Sequence, residues 1–140
     1  GKDGFVGVYA ANDGTAGGAI AAMKGNGVDP TKIPTTGQDA ELAAIQRILA
    51  GEQYMTVYKA IKPKAEKAAE LAVALAKGDT PPAAADKVNN GTKDVASILL
   101  NPVSVTTDNI NDTIVKDGFW SVDEICTGKY AAACKKAGIQ

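Results

Sequence analysis

The 140-residue sequence contains no histidine and only two cysteines, Cys126 and Cys134. Without histidine the chain lacks the side chain that most often serves as general base and as metal ligand near neutral pH. Two cysteines cannot supply the four ligands of a structural zinc site. Long apolar runs are also missing, since no stretch approaches the roughly 20 residues that cross a bilayer as a helix. Neither sign of charge dominates: 15 Lys and Arg stand against 16 Asp and Glu, a formal net charge of -1. With no long basic run to follow a phosphate backbone, nucleic acid is not an expected partner. There is no internal repeat and no low-complexity tract. What remains is 45% hydrophobic and 22% charged, ordinary for a globular chain and long enough to enclose a core. Gly1-Lys2-Asp3-Gly4 leads directly into Phe5-Val6-Gly7-Val8-Tyr9, which reads as a buried strand. A start this abrupt is expected of a processed or excised piece.

The first sixty residues alternate strand and helix. The apolar run from Phe5 to Ala11 is broken by Asn12-Asp13-Gly14-Thr15, and Thr15 is placed to cap a helix that ends near Gly25 and Gly27. A second strand is expected over 32–36, weakened by Pro34. Asp39 is placed to cap the next helix, which carries Leu42, Ile45, Ile48 and Leu49 on one face and stops at Gly51. Tyr54 to Tyr58 reads as a third strand. This alternation predicts an α/β fold with a parallel sheet and right-handed crossovers. The second half reads differently. A helix is expected from Pro63 to Gly78, followed by Thr80-Pro81-Pro82 and a turn at Asn89-Asn90-Gly91. A strand follows over Val95 to Leu100, broken at Asn101-Pro102 and resumed by Val103 to Thr106. Asp108 is placed to cap a short helix around Ile110, Ile114 and Val115, and Ser121-Val122-Asp123-Glu124 has the capping-box pattern.

In a parallel sheet, ligands sit beyond the carboxyl ends of the strands. Asn12, Asp39 and Lys59 fall at three successive strand ends. Neighbouring strands lie about 5 Å apart, so these side chains can converge on one small molecule. Asp39 offers two acceptor oxygens suited to adjacent hydroxyls, Asn12 a donor and an acceptor, and Lys59 donors only. That mixture suits a polyol better than an anion. The plainer alternative stands beside it, because Asx residues at such turns are often helix caps and a lysine after a strand is often a solvated surface group. Gly14-Thr15-Ala16-Gly17-Gly18 opens a helix where backbone N–H groups could take a phosphate. Its spacing is neither the dinucleotide nor the phosphate-loop pattern. Close helix–sheet packing accounts more simply for Gly17 and Gly18.

The strings themselves are more specific. Ala11-Asn12-Asp13-Gly14-Thr15-Ala16-Gly17-Gly18-Ala19-Ile20 and Thr36-Gly37-Gln38-Asp39-Ala40-Glu41-Leu42-Ala43 resemble successive turns of the xylose-type sugar-binding proteins of ABC transporters. Gln46-Arg47-Ile48-Leu49-Ala50-Gly51 and Met55-Thr56-Val57-Tyr58-Lys59 continue the resemblance in order, and it is strongest over residues 4–79. It implies the type I periplasmic binding protein fold: Rossmann-like parallel-sheet lobes, of which this chain is an incomplete fragment spanning parts of both. Residues 1–59 are expected in the C-terminal lobe, 60–104 in the N-terminal lobe, and 105–140 back in the C-terminal lobe and tail. The positions matching Asn12, Asp39 and Lys59 contact sugar in that family. Tyr58 and Ala60 fall at the expected hinge crossing, and Ala60 stands where many relatives carry proline.

The resemblance further implies a monosaccharide ligand, xylose or glucose, bound between two lobes. It implies a membrane permease as partner and an extracytoplasmic location, in the periplasm or anchored at a Gram-positive cell surface. No catalytic role, metal or cofactor is expected. The family's first half is missing, which predicts exposed apolar sheet edges and a covering partner, either the complementary N-terminal fragment or a second copy of this chain. Cys126 and Cys134 would lie about 12 Å apart on one continuous helix, beyond the roughly 7 Å reach of a disulfide. Thr127-Gly128 is expected to interrupt that helix, so a Cys126–Cys134 bridge is expected, with two buried thiols as the alternative. Trp120 reads as packing near the tail. Two other readings stand beside sugar transport: the sugar-sensing effector domain of a LacI-type transcription regulator, which shares this architecture, and a nucleotide-dependent α/β enzyme using the glycine turn, which the missing phosphate motif and histidine disfavour.

Overall fold

A computed structural model describes residues 4–80, 84 and 86–139. The opening residues 1–3 and the two prolines at 81 and 82 lie outside the described residues. In chain order the elements are α1 (Asp13–Gly25), α2 (Leu42–Leu49), β1 (Thr56–Tyr58), α3 (Ile61–Lys77), β2 (Asp86–Asn89), β3 (Asp94–Ser97), β4 (Val103–Val105), α4 (Val122–Ile125) and α5 (Ala131–Lys136). They divide into two compact units. The first comprises the chain up to Tyr58 and from Val103 onward, and the second is Lys59–Pro102.

In the first unit three extended segments lie side by side in sequence order. Val8 bridges Thr35 and Gln38 bridges Val57, both parallel. The Val8 N–H donates to the Pro34 carbonyl at 2.9 Å and the Thr36 N–H to the Val8 carbonyl at 3.0 Å. The ladders are shorter than the sequence predicts. Pro30–Lys32 is taken into a tight turn begun by Asp29, so the second segment pairs only from Thr35 onward. β4 then joins β1 antiparallel, with Thr56 opposite Val105 and Tyr58 opposite Val103.

Helices α1 and α2 bury their apolar faces here. Ala16, Ile20 and Met23 from α1 meet a core that includes Ala44, Ile45 and Ile48 from α2, with Val105, Ile110, Ile114 and Ile125 from the C-terminal stretch. Each isoleucine so buried is worth about 1.5–3 kcal/mol against leaving it in water. The first segment is not the fully buried strand its apolar run implies: Val6 is 91% and Tyr9 89% exposed. Phe5 and Val8 share a cleft with Ala19, Ala22 and Met23 of α1. A parallel strand is buried on both faces only where both are covered, and no described element covers Val6 and Tyr9.

Two expected caps are also reassigned. Asn12, not Thr15, caps α1. Thr106, not Asp108, caps the turn Thr107–Asn109, its own N–H donating to Asn109 Oδ1 at 2.9 Å. The expected box at Ser121 is present. The Glu124 carboxylate accepts from the Ser121 N–H and hydroxyl at 2.9 and 2.7 Å, and these bonds hold its pKa below the usual carboxylate range. The helix carrying Cys126 does break at Thr127-Gly128, and Cys126 and Cys134 are bridged with their Cα atoms 5.8 Å apart.

The second unit holds α3 and a β2–β3 hairpin. α3 begins at Ile61, two residues before the expected Pro63, which sits in the first turn where its missing N–H costs nothing. Left-handed Gly78 ends it. Asn90 Oδ1 accepts the N–H groups of Thr92 and Lys93 and so closes the hairpin. The strand expected over 95–100 runs only to Ser97, because its partner β2, not foreseen, begins at Asp86 opposite Ser97. No residue of α3 is buried, so within this unit the helix has no core to face.

Candidate functional site

Asn12 and Asp39 occupy adjacent turns at the carboxyl ends of the first two extended segments, both exposed. The Asp13 N–H donates to the Gln38 carbonyl at 2.9 Å, tying the residue after Asn12 to the residue before Asp39. The Asp39 N–H in turn donates to the Val57 carbonyl at 2.9 Å. Lys59, also exposed, lies two residues beyond Val57 and opens the second unit. The structure thus brings the Asn12 and Asp39 turns together and sets Asp39 against β1, whose chain continues into Lys59.

The plain reading of these residues as caps holds for one and fails for the other. Asn12 Oδ1 accepts from the Thr15 N–H at 2.9 Å and the Thr15 hydroxyl at 2.8 Å, so it caps α1. Its amide nitrogen remains the donor it can offer a ligand. Asp39 is not the N-cap of α2, which is Glu41. Instead Asp39 and Ala40 are consecutive left-handed residues with φ of 97° and 53°, and among the described residues they are the only non-glycines with positive φ. Such a conformation costs of order 1–3 kcal/mol per residue and persists where the surroundings over-determine it.

Those surroundings are explicit. The Ala40 N–H donates to Thr56 Oγ1 at 3.2 Å, and the Glu41 N–H donates to Asp13 Oδ2 at 3.0 Å. The Trp120 indole N–H donates to the Ala40 carbonyl at 2.8 Å. Behind the turn, fully buried Asp13 also accepts from the Thr56 hydroxyl and the Gln53 amide, both at 2.8 Å. Because its carboxylate only accepts, the Thr56 proton points toward Asp13 and the Thr56 oxygen is left to take the Ala40 N–H. Arg47 closes the set, donating to Gln53 Oε1 and to the Asp13 carbonyl at 2.9 Å each. No buried side-chain nitrogen or oxygen among the described residues lacks a partner.

Two glycines make room. A Cβ on Gly37 would run into the Asp13 carboxylate and the Gln53 amide, and a Cβ on Gly17 would come within 3.1 Å of the Arg47 guanidinium. Gly18 meets nothing within 4 Å, so close packing does not explain it.

Sequence reasoning missed this support. Asp13 passes for one more polar residue of a turn, Gln53 and Thr56 lie 40 and 43 residues from it, and nothing in a string reveals that they are buried together. The placing of Trp120 as packing near the tail is corrected: the indole is bonded to the Asp39-Ala40 turn, 80 residues away in sequence. Its neighbour Phe119 packs against both it and Tyr58, with ring centroids 5.5 and 5.1 Å apart. The Tyr58 hydroxyl donates to Asp117 at 3.2 Å. Burial, then the charge of Asp117 and its bond, raise the Tyr58 phenol above its ordinary pKa.

Known proteins share the sequence and the fold of this chain. Residues 1–80 match the model of a periplasmic binding protein domain. The chain is 52% identical over 118 residues to the D-xylose-binding periplasmic protein of Escherichia coli and 51% identical over 118 residues to that of Haemophilus influenzae. Each match covers 84% of this chain and 35% of the relative. Among solved structures, a carbohydrate transporter solute binding protein from Chloroflexus aurantiacus in complex with D-glucose superposes with a TM-score of 0.76 at 38% identity. That match covers 84% of this chain and 34% of the other. The chain therefore spans about a third of the length of these relatives.

Proposed function

Because the chain belongs to the periplasmic binding protein domain family, we propose that it is part of the solute-binding component of an ABC sugar importer, acting outside the cytoplasm. The ligand is a monosaccharide, with xylose favoured by the named relatives and glucose by the sugar in the similar structure. Asn12, Asp39 and Lys59 contact it. The observation that carries this reading is the Asp39-Ala40 turn: an exposed carboxylate at a strand's carboxyl end, on strained backbone fixed from behind by side chains, is what pre-organised recognition of hydroxyls requires.

The first unit belongs to one lobe and Lys59–Pro102 to the other, and ligand favours the closed state that a permease recognises. The chain leaves the first unit after Tyr58 and re-enters it at Val103, residues that face each other across the β1–β4 ladder, as a two-stranded hinge requires. The relatives are transport proteins, so no catalytic step is assigned. The Cys126–Cys134 bridge favours an exported protein over a cytoplasmic sugar-sensing regulator domain. Exposed Val6, Tyr9, Leu75 and Leu99 mark surfaces that polypeptide corresponding to the rest of the relatives' length would cover.

Calorimetry on the intact protein with a panel of pentoses and hexoses tests the proposal. Asp39→Ala is expected to weaken binding of the best sugar at least tenfold, as the loss of charge-assisted hydrogen bonds of about 1.5–3 kcal/mol requires. Undiminished affinity would remove Asp39 from the site. Tight sugar binding by a proven monomer of this chain alone would overturn the need for a covering partner.

A further inference from the structure

Trp120 stands outside the set of proposed ligand contacts, yet it makes a polar bond to the backbone beside Asp39. Ala40 is fully buried and left-handed. Its N–H is held from β1 by Thr56 and its carbonyl from the C-terminal stretch by the Trp120 indole at 2.8 Å. The peptide groups on either side of Ala40 are thus gripped from two parts of the chain, the one before it by Thr56 and the one after it by Trp120. A carbonyl held this way cannot rotate without breaking a bond inside a half-buried site, and rotation is what relaxation of the left-handed pair would need. Trp120 is itself braced. Phe119 packs edge-on against it and at a tilt against Tyr58, while Ser121, the next residue, caps α4.

We propose that Trp120 is a positioning residue of the sugar site. Its indole N–H holds Ala40 so that the Asp39 carboxylate is presented to the sugar hydroxyls without a prior rearrangement. This inference rests on the reading of Asp39 as a ligand contact and adds to it the residue that keeps Asp39 in place. The indole is not a stacking platform here. Its contribution is the one N–H, and it is made through the backbone.

The test uses the intact protein, calorimetric titration with D-xylose and D-glucose, and two replacements at one site. Trp120→Phe removes the N–H and part of the ring. Benzothienylalanine, introduced at residue 120 by amber-codon incorporation, replaces the N–H by sulfur and keeps the shape. Both are expected to weaken binding roughly three- to tenfold, the range of one net hydrogen bond. A third arm places 5-fluorotryptophan at residue 120 alone. Its fluorine resonance is expected to move on saturation with sugar, because a sugar bonded to Asp39 changes the field at the Ala40 carbonyl that the indole holds, and the shape-preserving benzothienyl arm separates this bond from packing.

Wild-type affinity in the benzothienyl protein would overturn the inference, whatever Trp120→Phe does, because the bond would then not matter. A fluorine resonance indifferent to sugar would overturn it as well, and this arm decides even if Trp120→Phe fails to fold. Asp39→Ala separates the two levels. If it abolishes binding while the benzothienyl protein binds normally, only the role of Trp120 falls. If Asp39→Ala binds normally, the site reading itself falls.

Discussion

Replacing Asp13 by alanine is the perturbation that bears most directly on how the site is supported. The carboxylate is fully buried and takes three donors: the Glu41 N–H at 3.0 Å, the Gln53 amide at 2.8 Å and the Thr56 hydroxyl at 2.8 Å. The three do not lose equally. Gln53 Nε2 keeps a bond to the Met55 carbonyl at 3.1 Å, so it retains a partner. The Thr56 hydroxyl has no such second acceptor among the described residues, and a buried donor left unsatisfied costs about 1–3 kcal/mol, while the Glu41 N–H, on an exposed residue, can turn to water and loses less. Adding the space vacated by the carboxylate, Asp13→Ala is expected to destabilise the protein by about 2–4 kcal/mol, the sum of an unsatisfied buried donor and a small cavity. Asp13→Asn should cost about half as much. Its oxygen can serve Thr56 and Glu41, but its amide then faces the Gln53 amide, and turning Gln53 to relieve this breaks its bond from Arg47 at 2.9 Å. Urea unfolding of the intact protein, followed by circular dichroism, measures both. A loss below about 1 kcal/mol for Asp13→Ala would refute the claim that this carboxylate organises the turn.

The Cys126–Cys134 bridge closes a loop with a sequence separation of 8. From loop closure alone, the paired Cys→Ser change should lower stability by about 2.5 kcal/mol, measurable as a lower urea midpoint, and an unchanged midpoint would show that the tail is held by its packing instead. The Tyr58 phenol, raised chiefly by burial and further by Asp117, holds its proton more tightly folded than unfolded. Its contribution is therefore complete below the ordinary phenol pKa of about 10 and is lost as pH rises through the raised value. Absorbance titration at about 295 nm, with Tyr58→Phe as the difference spectrum, should show this late ionisation. Asp117→Asn should shift it downward, and an unmoved titration would dismiss the Tyr58–Asp117 contact.

The parallel part of the sheet and its helices were legible because period and punctuation agree there. Ile45 and Ile48 recur at helical spacing before left-handed Gly51, and the turns at Asn12 and Asp39 interrupt apolar runs. Strand extent was not legible. Ladder length depends on what the partner segment does, as Pro30–Lys32 and the short β2 demonstrate. The candidate site was readable only in its outward-facing members. Asp13, Gln53, Thr56 and Trp120 act through burial and through contacts 16 to 80 residues apart, and neither leaves a local mark. Even for Asp39 the expected chemistry was mistaken in detail, since its backbone conformation, not a helix cap, sets it apart.

The bond from Trp120 to Ala40 also bears on the order of synthesis. A ribosome finishes the Asp39 turn 80 residues before it makes the indole that clamps it. The core residues Val105, Ile110, Ile114 and Ile125 emerge equally late. While the chain is growing, this turn cannot reach its final state. A nascent chain therefore carries the Asp39-Ala40 turn unlatched until the C-terminal stretch that holds Trp120 has been made, so any truncation before residue 120 would leave this turn without its clamp.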